Sequence, residues 1–409
     1  MKKAIMYGAG NIGRGFIGQV FCNSGYEVVF IDINQTVIDK LNQDRCYPVR
    51  VVSRDGFQEM IVRNVRAVSA AEPEKVAEEI AGADIMATAV GVNVLNRIAS
   101  PIAAGLKKRW ESGNFIPLNI IICENLIDAN HYLSGLIRER LEENYLAAFD
   151  ERVGLVEASI GRMVPVMTPE MQEGNLLRVW VEPYNTLPVD KDAFRGEIPQ
   201  LANMVPSSPF DFYIRRKIYM HNMGHALTAY FGFLGGRTFI WEAYAEPANK
   251  FIALRALSES AIAMSRRYNK PLTDLLEHAD DLLFRFGNKL LGDTVERVGK
   301  DTIRKLSSND RLAGAAVMCL ANDVEPVYIS LGIAAGLFFA PSADAAALEV
   351  SGYATKEGVF AALEKYSGLK NNNQVTQYAA MFYDLIKEGK SMGEIIDRAE
   401  ILKNGASTR

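Results

Sequence analysis

The chain has 409 residues, 49% of them hydrophobic and 23% charged, with a formal net charge of −4. That length favours two or three domains with room for large cores, and the charge gives no reason to expect nucleic acid or an anionic membrane as partner. Four scattered cysteines, Cys22, Cys46, Cys123 and Cys319, form no CxxC and no zinc spacing, which points to a reducing compartment and away from zinc chemistry.

Lys2-Lys3 runs straight into a strand at 4–7 with no signal-peptide pattern. No apolar run approaches the roughly 20 residues of a membrane span, so a cytoplasmic chain is expected. The string GAGNIGRG follows, with Gly8, Gly10 and Gly13 in G-x-G-x-x-G order, and a helix is expected over 12–21. Gly25 ends that unit. A second strand at 27–31 closes on Asp32, 19 residues after Gly13. Each residue type has a reason in a dinucleotide fold. Gly8 permits a tight turn, Gly10 lets backbone approach a pyrophosphate, and Gly13 lets helix and strand pack closely. The helix N-terminus offers N–H groups to phosphates. Asp32 would accept from ribose hydroxyls and repel a 2′-phosphate, which favours NAD over NADP. The candidate cofactor set is Tyr7, Gly8, Ala9, Gly10, Asn11, Ile12, Gly13, Arg14, Asp32 and Asn34, with Val90 and Gly91 from the end of a later strand.

That later strand is expected at 83–90. Another, at 119–123, is apolar throughout, as a strand buried on both faces should be, and ends in Glu124-Asn125. Polar residues at the carboxyl ends of such strands face the ligand crevice, which places Asn125 near a bound cofactor. Asn125 would equally serve as cap for a helix from 126 onward, and both roles can hold. A helix is expected over 128–148, strands at 153–160 and 176–181, and a proline-containing connection over 185–209. Beyond lie helices at 211–234, 240–268, 270–286, 309–321, 324–339 and 343–366, with more to about 401. The tail NGASTR is expected to be disordered. The expected fold is α/β plus all-α: a doubly wound Rossmann-type domain with extra strands over 1–205, then a mostly helical domain over 206–409.

The helix at 211–234 carries an unusual arc. At about 100° per residue, with Lys217 at zero, His221 falls near 40°, His225 near 80° and Asn222 near 140°. Met220, Met223, Leu227 and Tyr230 fall on the opposite side. A cation, two imidazoles and an amide thus share one side of an amphipathic helix. Five further cations, Arg297, Lys300, Arg304, Lys305 and Arg311, cluster along ERVGKDTIRKLSSNDRL at 296–312.

GAGNIGRGFIG, the K-x-x-x-x-N-x-x-H of Lys217, Asn222 and His225, and the 296–312 segment together resemble the polyol-specific long-chain (mannitol) dehydrogenase family over almost the whole chain. GAGNIGRG, the CEN ending at Cys123–Asn125 and the ERVG…RKLS..DRL segment resemble its mannitol-1-phosphate 5-dehydrogenase branch. The resemblance implies an NAD-dependent, metal-independent oxidoreductase interconverting mannitol 1-phosphate and fructose 6-phosphate. In that reading Lys217 is the general acid/base. Asn125 and Asn222 polarise the carbonyl, and His225 positions the substrate. An ordinary lysine pKa of about 10.4 must fall for such a role, which burial or a neighbouring cation achieves.

Two positions depart from the family pattern. Ile160-Gly161-Arg162 stands where many members carry an Asp before the Arg, and His221 stands where an apolar residue is common. Arg304 or Lys305 is expected to meet a substrate phosphate, because cations suit phosphate oxygens. Alternative readings are a free mannitol/fructose dehydrogenase, a fructuronate or tagaturonate reductase, and a non-enzymatic NAD sensor. The expected partner is a small sugar or polyol, with the chain a monomer or small homo-oligomer.

Overall fold

The computed structural model describes residues 1–406. They fall into two compact units, one up to Tyr213 and one from Ile214. Among the described residues the strands are, in chain order, β1 (Lys3–Tyr7), β2 (Glu27–Asp32), β3 (Cys46–Ser53), β4 (Gly56–Arg63), β5 (Val65–Ser69), β6 (Ile85–Thr88), β7 (Leu118–Ile122), β8 (Val153–Glu157), β9 (Val179–Val181), β10 (Leu187–Asp190) and β11 (Met204–Ser207).

All of these strands belong to the first unit. Its main sheet runs β5-β2-β1-β6-β7-β8, parallel throughout. This is the doubly wound order of a dinucleotide fold, and the order reverses between β1 and β6, where a ligand crevice opens. Ala4, Met6, Val28 and Phe30 pack on one face, while Ile5, Tyr7, Val29 and Ile31 pack on the other. Alternate residues thus feed two cores, which is why these strands read as unbroken apolar runs.

Five strands, β3, β4, β5, β10 and β11, have no counterpart in the sequence reading. β5 completes the main sheet. β3 and β4 form an antiparallel hairpin that turns between Ser53 and Gly56, and β9 joins β3 in parallel. Pro48 hides β3, since a proline argues against an interior strand. Its missing N–H is tolerated because β9 pairs only with Val49–Val51. Residues 185–209 are likewise more than a connection: β10 and β11 form a parallel two-stranded ribbon. β11 is an edge, and on its other side β10 meets only the single Ala158–Val189 bridge, so Pro188 and Pro206 interrupt no interior ladder.

Several expected helices are divided. The 128–148 stretch is Ala129–Arg138 and Glu143–Arg152. The 240–268 stretch breaks where Pro247 opens the helix Pro247–Tyr268, a first-turn position that suits proline. The 343–366 stretch breaks at Gly358, whose φ of 92° no helix allows.

The second unit is helical. Met223–Leu234 and Val327–Leu337 run through its core, the latter buried at every position. Glu259, 1% exposed, accepts the Tyr328 and Ile329 N–H groups at 3.1 Å and the Lys403 ammonium at 2.7 Å. Burial raises its carboxyl pKa and Lys403 opposes the rise. Lys403 also donates to the Glu325 carbonyl at 2.7 Å, and Arg255 pairs with Glu400. These contacts pin the last helix, Met392–Ala406, which takes in the start of the NGASTR tail. The rest of that tail, 407–409, lies outside the described residues. Among the described residues, no helix is long and apolar enough to cross a membrane.

Candidate active site

A cavity of about 570 Å³ opens at the switch point of the main sheet, lined by Tyr7, Gly8, Gly10, Asp32, Val90 and Arg97 among others. Gly8 has a φ of +104°, and a Cβ there would lie 2.5 Å from the Ala89 carbonyl oxygen. At Gly13 a Cβ would lie 1.9 Å from the Gly8 carbonyl oxygen, whereas at Gly10 it would meet nothing within 4 Å. Gly13 therefore permits the loop to close on its own helix, and Gly10 leaves backbone bare toward the crevice. The helix starts at Asn11, within the loop, and its first turn presents the N–H groups that helix geometry leaves unbonded.

These distances separate two glycine roles. Gly13→Ala should lower the melting temperature and abolish NADH binding, because forcing a methyl against backbone costs about 1–3 kcal/mol or more. Gly10→Ala should keep the wild-type melting temperature yet weaken NADH binding. Thermal melts and NADH titrations check both. A Gly13→Ala protein with native stability and affinity would contradict the assignment.

Asp32 holds the loop as well as facing the crevice. Its carboxylate accepts the Ala9 N–H at 2.6 Å and the Asn34 N–H at 2.9 Å. A carboxylate offers about four acceptor positions, so capacity for ribose hydroxyls remains. Asn34 caps the helix Gln35–Asp44 through the Val37 N–H, and Asn11 donates to the Pro165 carbonyl at 3.1 Å. The phenol of Tyr7 is pushed up to about 12 by burial, so it stays neutral. Ile12 packs against the core beside the loop.

Arg14 has structural duties. It is buried, and its guanidinium donates to the carbonyls of Ala9 at 2.7 Å and Leu177 at 2.6 Å, while the Tyr47 hydroxyl donates to its own carbonyl at 2.8 Å. Arg162, noted as the residue without its usual aspartate neighbour, is also buried. It donates to the carbonyls of Gly15 and Glu182 and to the Gln19 amide oxygen. Burial draws its pKa down to about 10. Both arginines tie the glycine-rich helix to the segment around β9.

Asn125 lies exposed just past the carboxyl end of β7. It does not cap the next helix, which begins only at Ala129, where the Glu157 carboxylate accepts the first N–H at 2.8 Å. Its neighbour Glu124 is buried and accepts the N–H groups of Val90 and Gly91, each at 2.9 Å. The sequence offers only one hint of this carboxylate, its place at a strand end.

The helical run from Asp211 to Leu234, in the second unit from Ile214 onward, contains a π turn over Lys217–Asn222, closed by the Met223 N–H bonding to the Ile218 carbonyl five residues back. Bonding of that kind sets residues five apart on one side. The wheel separation of about 140° between Lys217 and Asn222 assumes an unbroken α-helix. The π turn removes most of it and brings cation and amide to one face. Met220, Met223, Leu227 and Tyr230 are fully buried, so the apolar side is core. Lys217, Asn222 and His225 are half-buried.

The His225 ring stacks on Phe286, with centroids 5.0 Å apart and planes 6° from parallel. Its Nε2 lies 3.5 Å from an Asp293 carboxylate oxygen, a long contact for a hydrogen bond. Burial first, then Arg297, Lys305, Arg311 and Arg285, draw its pKa down to about 3. His225 is thus a neutral imidazole, suited to hydrogen bonding and unable to act as an acid near neutrality. His221 is buried beside it, ring centroids 6.2 Å apart, and burial holds it neutral too.

The structure distinguishes the two expected phosphate residues. Arg304 is tied to Asp301 at 2.6 Å and Asp310 at 3.1 Å. Lys305 is buried, donates to the Val298 carbonyl, and is drawn down to about 7 by burial and by Arg311 and Arg304. Lys305 is among the cations that act on His225. Asp293, which pairs with Arg297 and approaches His225, has no sequence signal of its own.

Residues 2–203 match the mannitol dehydrogenase Rossmann domain and residues 210–387 the mannitol dehydrogenase C-terminal domain. Among solved structures the chain is similar to a D-sorbitol dehydrogenase in substrate-free form, at 15% identity and a TM-score of 0.81 over 96% of this chain and 95% of that one. It is also similar to Pseudomonas fluorescens mannitol 2-dehydrogenase in a ternary complex with NAD and D-mannitol, at 14% identity and a TM-score of 0.69 over 98% and 94%. At such identities the two likenesses show the fold. The family matches cover nearly the whole chain in two consecutive domains, and the protein belongs to the mannitol dehydrogenase family.

Proposed function

We propose that the protein is an NAD-dependent, metal-independent polyol dehydrogenase that interconverts mannitol 1-phosphate and fructose 6-phosphate. The observation that carries the phosphate reading is buried Lys305, which with Arg297, paired to Asp293, and Arg311, paired to Asp310, bears on neutral His225. A sugar phosphate would supply the anion that this cluster favours.

NAD fits the crevice: Gly10 is open where a pyrophosphate would lie, a helix N-terminus faces it, and Asp32 keeps acceptor capacity for ribose. When bound as NADH it supplies the hydride that reduces the ketose at C2. Lys217 Nζ gives the proton to the carbonyl oxygen, and takes it back in the oxidative direction. Asn222, on the same face, donates its amide N–H to the developing alkoxide without competing for the proton. Asn125 takes the second such role. His225, held neutral, hydrogen-bonds a substrate hydroxyl and fixes its orientation.

The same cations would accept a hexuronate carboxylate, which makes a fructuronate or tagaturonate reductase the second reading. Rates of NADH oxidation with fructose 6-phosphate, fructose and the two hexuronates test the choice. Fructose 6-phosphate is expected to be fastest. A faster hexuronate would overturn the phosphate reading, and NADH binding without turnover of any of them would favour a sensor.

Cofactor choice has its own test. NAD(H) should be preferred over NADP(H), and Asp32→Ser should weaken NAD binding and narrow the gap, measured as kcat/KM for both cofactors. Part of the loss arises from the broken Ala9 contact. Equal efficiency with both cofactors in the unmutated protein would remove Asp32 as the discriminator.

A further inference from the structure

Glu124 is 8% exposed, and its two carboxylate oxygens are used separately. Oε1 accepts the Val90 N–H and Oε2 the Gly91 N–H, each at 2.9 Å. The strands involved are neighbours: β6 pairs with β7 up to Thr88 and Ile122, and one more rung, Cys123 N–H to the Thr88 carbonyl at 2.9 Å, continues the ladder. There the ladder stops. Gly91 turns the chain away at φ +91°, and the N–H groups of Val90 and Gly91 bond to the side chain of Glu124. A carboxylate gripped at both oxygens has a fixed plane and a fixed direction. Its Cα is fixed with it, and Asn125 follows one peptide unit later.

We propose that Glu124 is a positioning residue for the reduction step. It locks the crevice-lining backbone at Val90 to the strand end that carries Asn125, so that the Asn125 amide is held in register with a cofactor seated against Val90. This rests on the reading above in which Asn125 polarises the substrate carbonyl. Glu124 itself touches neither substrate nor cofactor. A loop staple alone would alter stability and cofactor KM. A positioning residue lowers kcat, and does so through Asn125.

The test is a double-mutant cycle on the full-length protein, with the substrate that NADH reduces fastest. Glu124→Gln keeps the shape but turns an amide NH₂ toward one of the two backbone N–H groups, so donor faces donor. It is expected to lower kcat roughly ten- to hundredfold, since a misplacement of about 1 Å costs on that order. In an Asn125→Ala background the same change should have little further effect on kcat, because coupled residues are non-additive. Glu124→Asp, one methylene shorter, cannot reach both N–H groups and should show the same coupling. It serves as the second variant should the glutamine protein fail to fold, and melting temperatures are recorded for every variant. If Asn125→Ala loses activity and Glu124 variants lose the same factor with or without it, the positioning role is overturned while the Asn125 reading stands. Unchanged kcat in either folded Glu124 variant overturns it as well. If Asn125→Ala retains full turnover, the reading beneath it falls, and the positioning role with it.

Discussion

Lys217→Ala is expected to lose most turnover, on the order of 10²–10⁴-fold, with NADH affinity nearly unchanged. Lys217 stands half-buried on the polar face of its helix, brought onto the side of Asn222 by the π turn. Cofactor contacts in the proposed reading come from the first unit, so removing an ammonium from the second should leave them alone. Lys217→Arg sharpens the point. It keeps the positive charge, but a guanidinium does not release its proton near neutrality, so it too should be nearly inactive. Steady-state rates, NADH titration and a melting curve for each variant decide the matter. Near wild-type turnover in either would remove Lys217 from the chemistry, and loss of NADH binding would recast it as a structural group.

The other large effect concerns the phosphate. Fructose 6-phosphate should be reduced far more efficiently than fructose. Charge-assisted hydrogen bonds contribute about 1.5–3 kcal/mol each, so two of them support a preference of roughly 10²–10⁴ in kcat/KM. Salt should shrink the advantage by screening. Lys305→Ala should raise KM for the phosphorylated sugar more than for the free one. Arg304→Ala should do less, because Arg304 is already paired with Asp301 and Asp310.

The pH dependence has a definite sign. Lys305 is drawn down to about 7, so it carries its charge below that value and loses it above. The ratio of kcat/KM for the two sugars, which reports the free enzyme, should therefore fall as pH rises through about 7. The second ionisation of the phosphate, near 6, adds negative charge as pH rises and would push the ratio the other way. Equal efficiency toward fructose and fructose 6-phosphate would end the phosphate reading and leave the free-polyol reading in its place.

Much of the first unit was legible in the sequence because its constraints are local. Gly8, Gly13 and the apolar runs of β1, β2 and β7 each answer to a single steric or burial rule. The β3–β4 hairpin was not legible, because Pro48 breaks a local rule that only the short reach of β9 excuses. The Lys217 helix was found from its polar arc, yet its geometry was misjudged. A π turn is chosen by packing around the helix, and an α-helical wheel has no term for it. Glu124 was passed over for a related reason. Its partners, Val90 and Gly91, are 34 and 33 residues away in sequence, and nothing near it states that a ladder ends there. The cations at 296–312 were visible as a group. Which of them is buried and which is spent on an aspartate depended on three-dimensional neighbours.

The clasp between Glu259 and Lys403 bears on how the chain is made. The two residues are 144 positions apart. Until the lysine emerges from the ribosome, the second unit holds a core carboxylate with no counter-charge, directly beneath the start of one of its central helices. The first unit has its last strand in place by Ser207 and can close early, as N-terminal domains tend to do during synthesis. The second must wait for its final helix, so a nascent chain stalled before Lys403 would present an ordered nucleotide-fold domain trailed by a loose helical one, the form most exposed to chaperones and proteases.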